Sequence, residues 1–379
     1  MHYPDTDDIV VGAGILGLAT AWHLHRRGRT VRVLERSARI EGASVRNFGM
    51  IWPIGQEAGA ALRLALRSRD LWLAMLKTVG LWHAGEGSLH VLYHQLEEDV
   101  ARQFLADASD VGYAARWMPP DEVLVRVPRL RRQGLRGGIY STTEIGVDPR
   151  LSLGGLQSWL QAQGVVFHWE SAVLAVSAGR VCTGSAAFAA REVWLCTGHD
   201  RSGPFATHLQ SSGIEACKLQ MMRTTPLPAG ERVGAMLAAG LTLARYRSFA
   251  ACPAQEQLRA SLSERFPGYL EHGIHVLVSQ MPDGALTIGD SHAYGAAIDP
   301  DSHAVIDRMI LDYLDRFLDR SGTTIASRWV GIYAGHAAQP WVVLHPEPGS
   351  HIVTGVGGSG MTLAFGLTEA VVAEVLGSH

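Results

Sequence analysis

The stretch IVVGAGILGLATAWHLHRRGRTVRVLERS, residues 9–37, restricts the fold more than any other part of the chain. Asp8 to Val11 is short, β-branched and apolar, the composition of a strand buried on both faces of a parallel sheet. Gly12, Gly14 and Gly17 follow at G-x-G-x-x-G spacing. In that spacing the first glycine permits a tight turn, the second lets a pyrophosphate approach the backbone, and the third lets helix and strand pack closely. Ile15 and Leu16 then open a helix whose first-turn N–H groups lack intrahelical acceptors and whose dipole favours an anion. It runs through Leu18, Trp22 and Leu24, gathers Arg26 and Arg27 in its last turn and stops at Gly28. A second strand, Thr30 to Leu34, ends at Glu35 and Arg36. A carboxylate there can accept from a ribose 2'-hydroxyl, which favours a dinucleotide without a 2'-phosphate. Together these elements predict a dinucleotide-binding unit and leave NAD and FAD undivided.

With 379 residues, 47% of them apolar and 18% charged, the chain exceeds the usual size of one compact domain, so two are expected. A net charge of -3 and a pI near 6.6 supply no general basic field, which argues against nucleic acid or an anionic membrane as partner. Cys182, Cys196, Cys217 and Cys252 show no paired spacing and no zinc-type Cys/His intervals, so neither a disulfide framework nor a metal site is expected. A cytoplasmic location fits that pattern. The apolar run Ile9 to Ala21 follows Asp5, Asp7 and Asp8 rather than a basic segment, so it reads as structure and not as a signal peptide. No uninterrupted apolar run reaches the roughly 18 residues of a membrane span.

The segment EGASVRNFGMIWPIG (residues 41–55) resembles the A-S-x-R-N-x-G segment of the D-amino-acid oxidase, glycine oxidase and sarcosine oxidase superfamily. The resemblance implies a wall beside a flavin: Ala43 and Ser44 let the chain approach the ribityl group, Asn47 offers a donor and an acceptor, and Arg46, Phe48 and Gly49 continue it. REVWLCTGHD reads as a buried strand ending at Thr197 and Gly198, similar to the A-T-G motif that closes such a site. VVFHWESAVLAV reads as a strand pair, with Val173 near the adenine. Near the C-terminus a strand and a glycine loop precede a helix from about Met361 to Leu376, with Leu363, Leu367, Ala370, Val371 and Val375 on one face. N–H groups at that helix start can stabilise the negative charge of a reduced flavin. Gly335, Gly355, Gly357, Gly358, Ser359, Gly360, Met361 and Thr362 are therefore assigned to the cofactor, which the resemblance makes FAD.

Because these elements lie at both ends and in the middle of the chain, the fold expected is α/β (α+β overall). It joins a discontinuous Rossmann-like FAD-binding domain, residues 1–85, 145–215 and 320–379, to a mixed or antiparallel-sheet substrate domain, 86–144 and 216–319. SLHVLYH reads as a strand of the latter, and the five arginines of RVPRLRRQGLRGGIY read as a solvated loop. Asp148 and Pro149 open a helix as N-cap and first residue.

EGASVRNFGMIWPIGQ, CKLQMMRT, GIHVLVSQ and IGDSHAYG together look like a subfamily of these oxidases associated with phosphonate metabolism. That likeness implies an aminophosphonate substrate such as N-methyl-2-aminoethylphosphonate. The chain departs from sarcosine oxidases in two ways. RWVGIYAGHAAQPWVVLHPEPG holds no cysteine for covalent attachment, so the FAD is expected to be non-covalent, and Thr287 stands where those enzymes place an oxygen-activating lysine. Oxidation of the C–H next to nitrogen requires a free nitrogen lone pair, and His292, His336 or Tyr333 can assist its deprotonation. Lys218, Arg245, Tyr246 and His292 are the candidates for the substrate anion, with Arg223 and Arg247 read as surface residues. Arg245 and Arg247 are read as strand residues of equal parity, sharing a face. The electron acceptor is O2 or another carrier. Alternatives are a glycine, sarcosine or D-amino-acid oxidase, a dehydrogenase feeding a quinone or carrier protein, and a non-catalytic nucleotide-binding protein.

Overall fold

Strand Thr6–Val11 pairs in parallel with Val31–Leu34 on one side and Ala187–Leu195 on the other. The computed structural model describes residues 5–295 and 298–377. Val166–His168 and Ser350–Thr354 extend this parallel core at its two sides, and Val342–Glu347 adds an antiparallel edge. Strands covered on both faces must be apolar throughout, and Ile9, Val10, Val33, Val193 and Trp194 are all fully buried. Val173–Ser177 does not pair with Val166–His168, as the reading of residues 165–176 expected. It turns back on Arg180–Thr183, which in turn pairs with Ala187–Leu195.

The helix after the glycine turn spans Ile15–Arg26, and Gly28 just beyond takes φ +71, a left-handed conformation that suits glycine. Asp148 caps helix Pro149–Ala162, its Oδ1 accepting from the N–H groups of Arg150 at 2.9 Å and Leu151 at 3.2 Å. The C-terminal segment Gly357–Leu376 is apolar and long enough to cross a membrane by composition alone. Its character has another cause here, because Met361 to Thr368 are buried all round, between helices Ile15–Arg26 and Ala60–Val79. Ala370, expected on the apolar face, is exposed; the second half of the helix instead buries Val371 and Val372.

A second, mostly antiparallel sheet runs in the order Ala293–Gly295, Ile214–Pro226, Ala285–Gly289, Leu277–Gln280, Met236–Ala238, Ser88–Leu92, Gly137–Ser141, Ala115–Met118. Ile325–His336, assigned from sequence to the nucleotide unit, belongs to this second sheet, paired with Ile214–Pro226 from Ile214↔His336 to Thr224↔Ile325. The arginine-rich loop is also more tightly held than its charge suggested. Arg129 donates to the carbonyls of Asp319 and Ser321 and pairs with Glu231, Arg131 donates to the Asp315 carbonyl, and Arg136 binds Glu98.

His23, on the inner face of helix Ile15–Arg26, lies 2.9 Å from the Phe365 carbonyl, and burial pushes its pKa down to about 4. The folded state therefore stays unprotonated where the unfolded chain, at 6.5, already takes a proton, so stability is present above pH 6.5 and lost toward pH 4. Between pH 7 and pH 5 this group alone should remove about 2 kcal/mol. His23→Gln, which keeps a donor for Phe365, should shrink the drop in denaturant midpoint between those two pH values by a corresponding amount.

Candidate functional site

A cavity of about 1180 Å³ is lined from both sheets. At its nucleotide end the chain turns at Gly12, whose φ of +102 and 2.5 Å approach of a would-be Cβ to the Cys196 carbonyl oxygen exclude a side chain. Gly12, Gly14, Ile15 and Leu16 face the cavity. Gly17 and Gly49 stand behind its wall, where a Cβ would overlap the carbonyl oxygens of Gly12 and Val147 respectively. Gly14 provides no side-chain cap, so helix Ile15–Arg26 meets the cavity with its first-turn amides. One of these, Ile15 N–H, donates to Ser44 Oγ at 2.9 Å. Ser44 thus lines the cavity, as the sequence led one to expect, and also holds the helix start.

Glu35 lines the cavity, its Oε2 accepting from Ala13 N–H at 2.7 Å and its Oε1 from Ser37 N–H at 2.9 Å. Each oxygen keeps a second acceptor position for a ribose. Arg36, paired with Asp200, and Val173, Thr197 and Gly198 continue this end. Ala43, Arg46, Asn47 and Phe48 also line it, but the Asn47 amide is spent on its own loop. Its Nδ2 donates to the Ala43 and Ser44 carbonyls, and its Oδ1 accepts from Gly49 N–H.

Gly335, Gly355 and residues 357–362 form the opposite wall. Three contacts fix this glycine loop: Trp52 N–H donates to Thr362 Oγ1 at 2.9 Å, Trp72 Nε1 to the Met361 carbonyl at 2.7 Å, and Gln56 Nε2 to Ser359 Oγ at 3.1 Å. Ser359 itself adds no side-chain cap to helix Gly360–Leu376, so a second set of helix-start amides faces the same cavity. Two uncapped helix starts, a ribose-side carboxylate and a cavity of this length fit a dinucleotide whose ring system lies against the glycine loop.

Beyond that loop the cavity continues into a chamber walled by Arg245, Tyr246, His275, Asp290, His292, Tyr294 and Tyr333. Arg245 does not sit on a strand, so the parity read for LARYRSF fails: helix Gly240–Leu243 precedes it and a 3-10 turn, Arg247–Phe249, follows. Its Nη2 donates to Tyr294 Oη at 3.2 Å, and that oxygen lies 3.5 Å from Tyr333 Oη. Cys217 stands opposite both tyrosines, pairing with Tyr294 on one flank and Tyr333 on the other. Lys218, one residue on, necessarily points to the other face, where its Nζ donates to the Asp301 carbonyl at 2.8 Å and pairs with Asp299 at 3.5 Å. It is a structural residue, not a substrate contact. His336 lines the cavity, but its Nδ1 accepts from the N–H groups of Ala338 and Gln339, which commits the ring to a turn. Arg223 pairs with Asp283, and Thr287 is buried beside it, paired with Arg223 and Ser279. Arg247 is exposed at the rim.

Sequence reasoning passed over His275, Asp290 and Tyr294, although GIHVLVSQ and IGDSHAYG contain them. Asp290 Oδ1 lies 3.2 Å from His275 Nε2, and its Oδ2 lies 3.5 Å from His292 Nε2. The two imidazoles stack at 5.1 Å. His292 Nδ1 is 2.9 Å from the Gly273 carbonyl, which fixes the proton on Nδ1 and leaves Nε2 a lone pair. The donor atoms of the three residues lie within 4.8 Å of one another, so they can surround one small cation. Burial, reinforced by Arg245, holds both imidazoles well below the usual histidine range, and burial pushes the Asp290 carboxyl up to about 7 despite Arg245. The Tyr333 hydroxyl is raised well above 10.0 by burial, so it acts as a neutral hydrogen-bonding group.

A parallel nucleotide-binding sheet joined to an antiparallel sheet, with one long cavity between glycine turns and a polar chamber, defines a dinucleotide-dependent redox enzyme of two-sheet type. Residues 7–374 match the family model described as FAD dependent oxidoreductase. The chain belongs to that family, and its cofactor is FAD. Over 142 residues it is 25% identical to glycine oxidase of Geobacillus kaustophilus (strain HTA426), an alignment spanning 35% of this chain and 38% of that enzyme. The fold of that glycine oxidase superposes with a TM-score of 0.79 at 19% identity, covering 99% of this chain and 95% of that one. L-proline dehydrogenase from P. horikoshii superposes equally well, with a TM-score of 0.79 at 19% identity over 99% and 94% of the two chains. L-alpha-glycerophosphate oxidase from Mycoplasma pneumoniae, solved with FAD bound, gives 0.77 at 17% identity over 99% and 95%.

Cys196 is the cysteine in the cavity wall, and burial pushes its thiol up to about 12, which leaves it no reactive thiolate. Acid precipitation of the purified protein should therefore leave the flavin in the supernatant; flavin that stays with the pellet would show a covalent link. At Gly14 a Cβ would already stand 3.0 Å from Ser44 Oγ, on the side where the pyrophosphate must approach. Gly14→Val is expected to reduce flavin absorbance per mole of protein to near zero while the far-UV circular dichroism stays that of a folded chain.

Proposed function

We propose that the chain oxidises a small amine carrying an anionic group, and that this group is a phosphonate held at Arg245. The observation that carries the reading is the convergence of the Arg245 guanidinium with the hydroxyls of Tyr294 and Tyr333 at the end of the chamber. FAD, when bound, supplies the acceptor for the hydride leaving the carbon next to nitrogen. The protein's share is orientation. Arg245 draws in the anion, the tyrosine hydroxyls donate to its remaining oxygens, and Tyr333 lies against Gly358, at the junction of chamber and glycine loop. The substrate imine then hydrolyses, giving an aldehyde and an amine.

Three groups around one anion suit the three oxygens of a phosphonate, and IGDSHAYG, which supplies Tyr294, is one of the stretches that resemble the phosphonate-associated subfamily. Arg245 and a single tyrosine suffice for a carboxylate, so a glycine-type oxidase is the second reading, supported by the 25% identity to glycine oxidase.

Anaerobic bleaching of the bound flavin by N-methyl-2-aminoethylphosphonate, 2-aminoethylphosphonate, sarcosine, glycine and D-alanine separates the two. The phosphonates should bleach it at lower concentration; faster reduction by glycine or sarcosine would make the carboxylate reading correct. Arg245→Ala should lower kcat/KM for the preferred substrate by about thirtyfold or more, the cost of losing one charged contact. An Arg245→Ala enzyme with unchanged kcat/KM and full FAD content would remove Arg245 from the site.

A further inference from the structure

We infer that Asp290 docks the ammonium of the substrate, so that the chamber selects zwitterions held between Arg245 and Asp290. This rests on the reading of the substrate as an amine and names the group that receives its nitrogen.

Asp290 is only 5% exposed, yet its Oδ1 has no hydrogen-bond partner among the described residues. His275 Nε2 lies within 3.2 Å of that oxygen without the alignment of a hydrogen bond. A buried carboxylate oxygen left this way costs free energy comparable to a lost hydrogen bond or more. Elsewhere in the chain the same problem is solved internally. The fully buried Glu144 accepts from Ile54 N–H at 2.9 Å, Ser88 Oγ at 2.9 Å and Thr143 Oγ1 at 2.7 Å.

The surroundings specify what completes Asp290. His292 turns its Nδ1 proton to Gly273 and its Nε2 lone pair toward Asp290 Oδ2. Carboxylate and imidazole acceptors within 4.8 Å of one another, open to the cavity, present acceptors and negative charge to a single point. An ammonium brings several N–H donors and one positive charge, matching that set. Arg245 shares the same chamber wall and carries the opposite charge. A ligand with an anion at one end and an ammonium at the other satisfies both, whereas an anion lacking the amine leaves Asp290 unpaired beside it.

The test uses the FAD-loaded enzyme under anaerobic conditions and two matched ligand pairs, with binding of each amine read from the concentration dependence of the rate of flavin bleaching and binding of each ether from the shift in the flavin spectrum. One pair is sarcosine with methoxyacetate, the other N-methyl-2-aminoethylphosphonate with 2-methoxyethylphosphonate; in each, an ether oxygen replaces the amine. Asp290→Asn should weaken binding of the amine of each pair by about thirtyfold or more while the ether binds as in wild type or more tightly. His292→Gln, which leaves the carboxylate in place, should produce a smaller loss with the same selectivity. Equal weakening of amine and ether, or none, overturns the docking role. Retention of one divalent cation per wild-type chain, lost in Asp290→Asn, also overturns it and makes the cluster a metal site. If no amine reduces wild-type flavin, the amine-oxidation reading fails and takes this inference with it; reduction in wild type with unaltered amine binding in Asp290→Asn defeats the docking role alone.

Discussion

The antiparallel ladder between Ile214–Pro226 and Ile325–His336 is the constraint on which the site depends. Side chains on a strand alternate faces, so its register decides which residues meet the cavity and which support the far side. Register places Cys217 opposite both Tyr294 and Tyr333, lays Leu219 and Met221 along the cavity wall, and sends Lys218 and Gln220 to the other face. There Gln220 Nε2 donates to Asp307 Oδ1 at 2.8 Å, anchoring helix Ala304–Leu314. A slip of one residue would exchange these two sets. Because Ile325–His336 ends beside the glycine loop, the same ladder fixes the chamber relative to the flavin-binding wall.

The two halves of the cavity treat buried polar groups differently. Around the nucleotide end, several polar side chains are satisfied by the protein itself: Asn47 by its loop, Asp8 by Trp194 Nε1 and Arg29, Thr354 Oγ1 by the Gly198 carbonyl. That internal bonding preorganises backbone amides, which are the groups a pyrophosphate and a flavin need. In the chamber the balance is reversed. Among the described residues, Asp290 Oδ1 and His275 Nδ1 are buried without partners, and the Arg245 guanidinium donates to one neutral hydroxyl, that of Tyr294. Unpaired groups of this kind reduce the stability of the empty protein, and a ligand that pairs them recovers that loss as affinity.

The nucleotide-binding half was legible in the sequence because its signals are local. The alternation of strand, glycine turn, helix and terminal acid in residues 6–35 needs only short-range sterics, and Gly12, Gly28 and the Asp148–Pro149 cap fall where conformational preference puts them. Glycine positions near the C-terminus carried the same kind of information. Polar roles within those segments were less legible, since the partner of Ser44 lies 29 residues away and residue type alone does not name it.

The chamber was decided by tertiary structure. His275 and Asp290 are fifteen positions apart in sequence, and Arg245 comes from a helix-to-turn connection with no periodic signal. Lys218 and Arg245 read as equal candidates from charge, yet strand parity turns Lys218 toward Asp299 and Asp301 while the turn after Leu243 delivers Arg245 to Tyr294. Likewise Ile325–His336 read as part of the nucleotide unit because it precedes the C-terminal glycine loop, whereas hydrogen bonding places it in the other sheet. Local preference sets the turns and the cofactor cradle; long-range strand pairing, whose register no local segment encodes, sets which charges face the substrate.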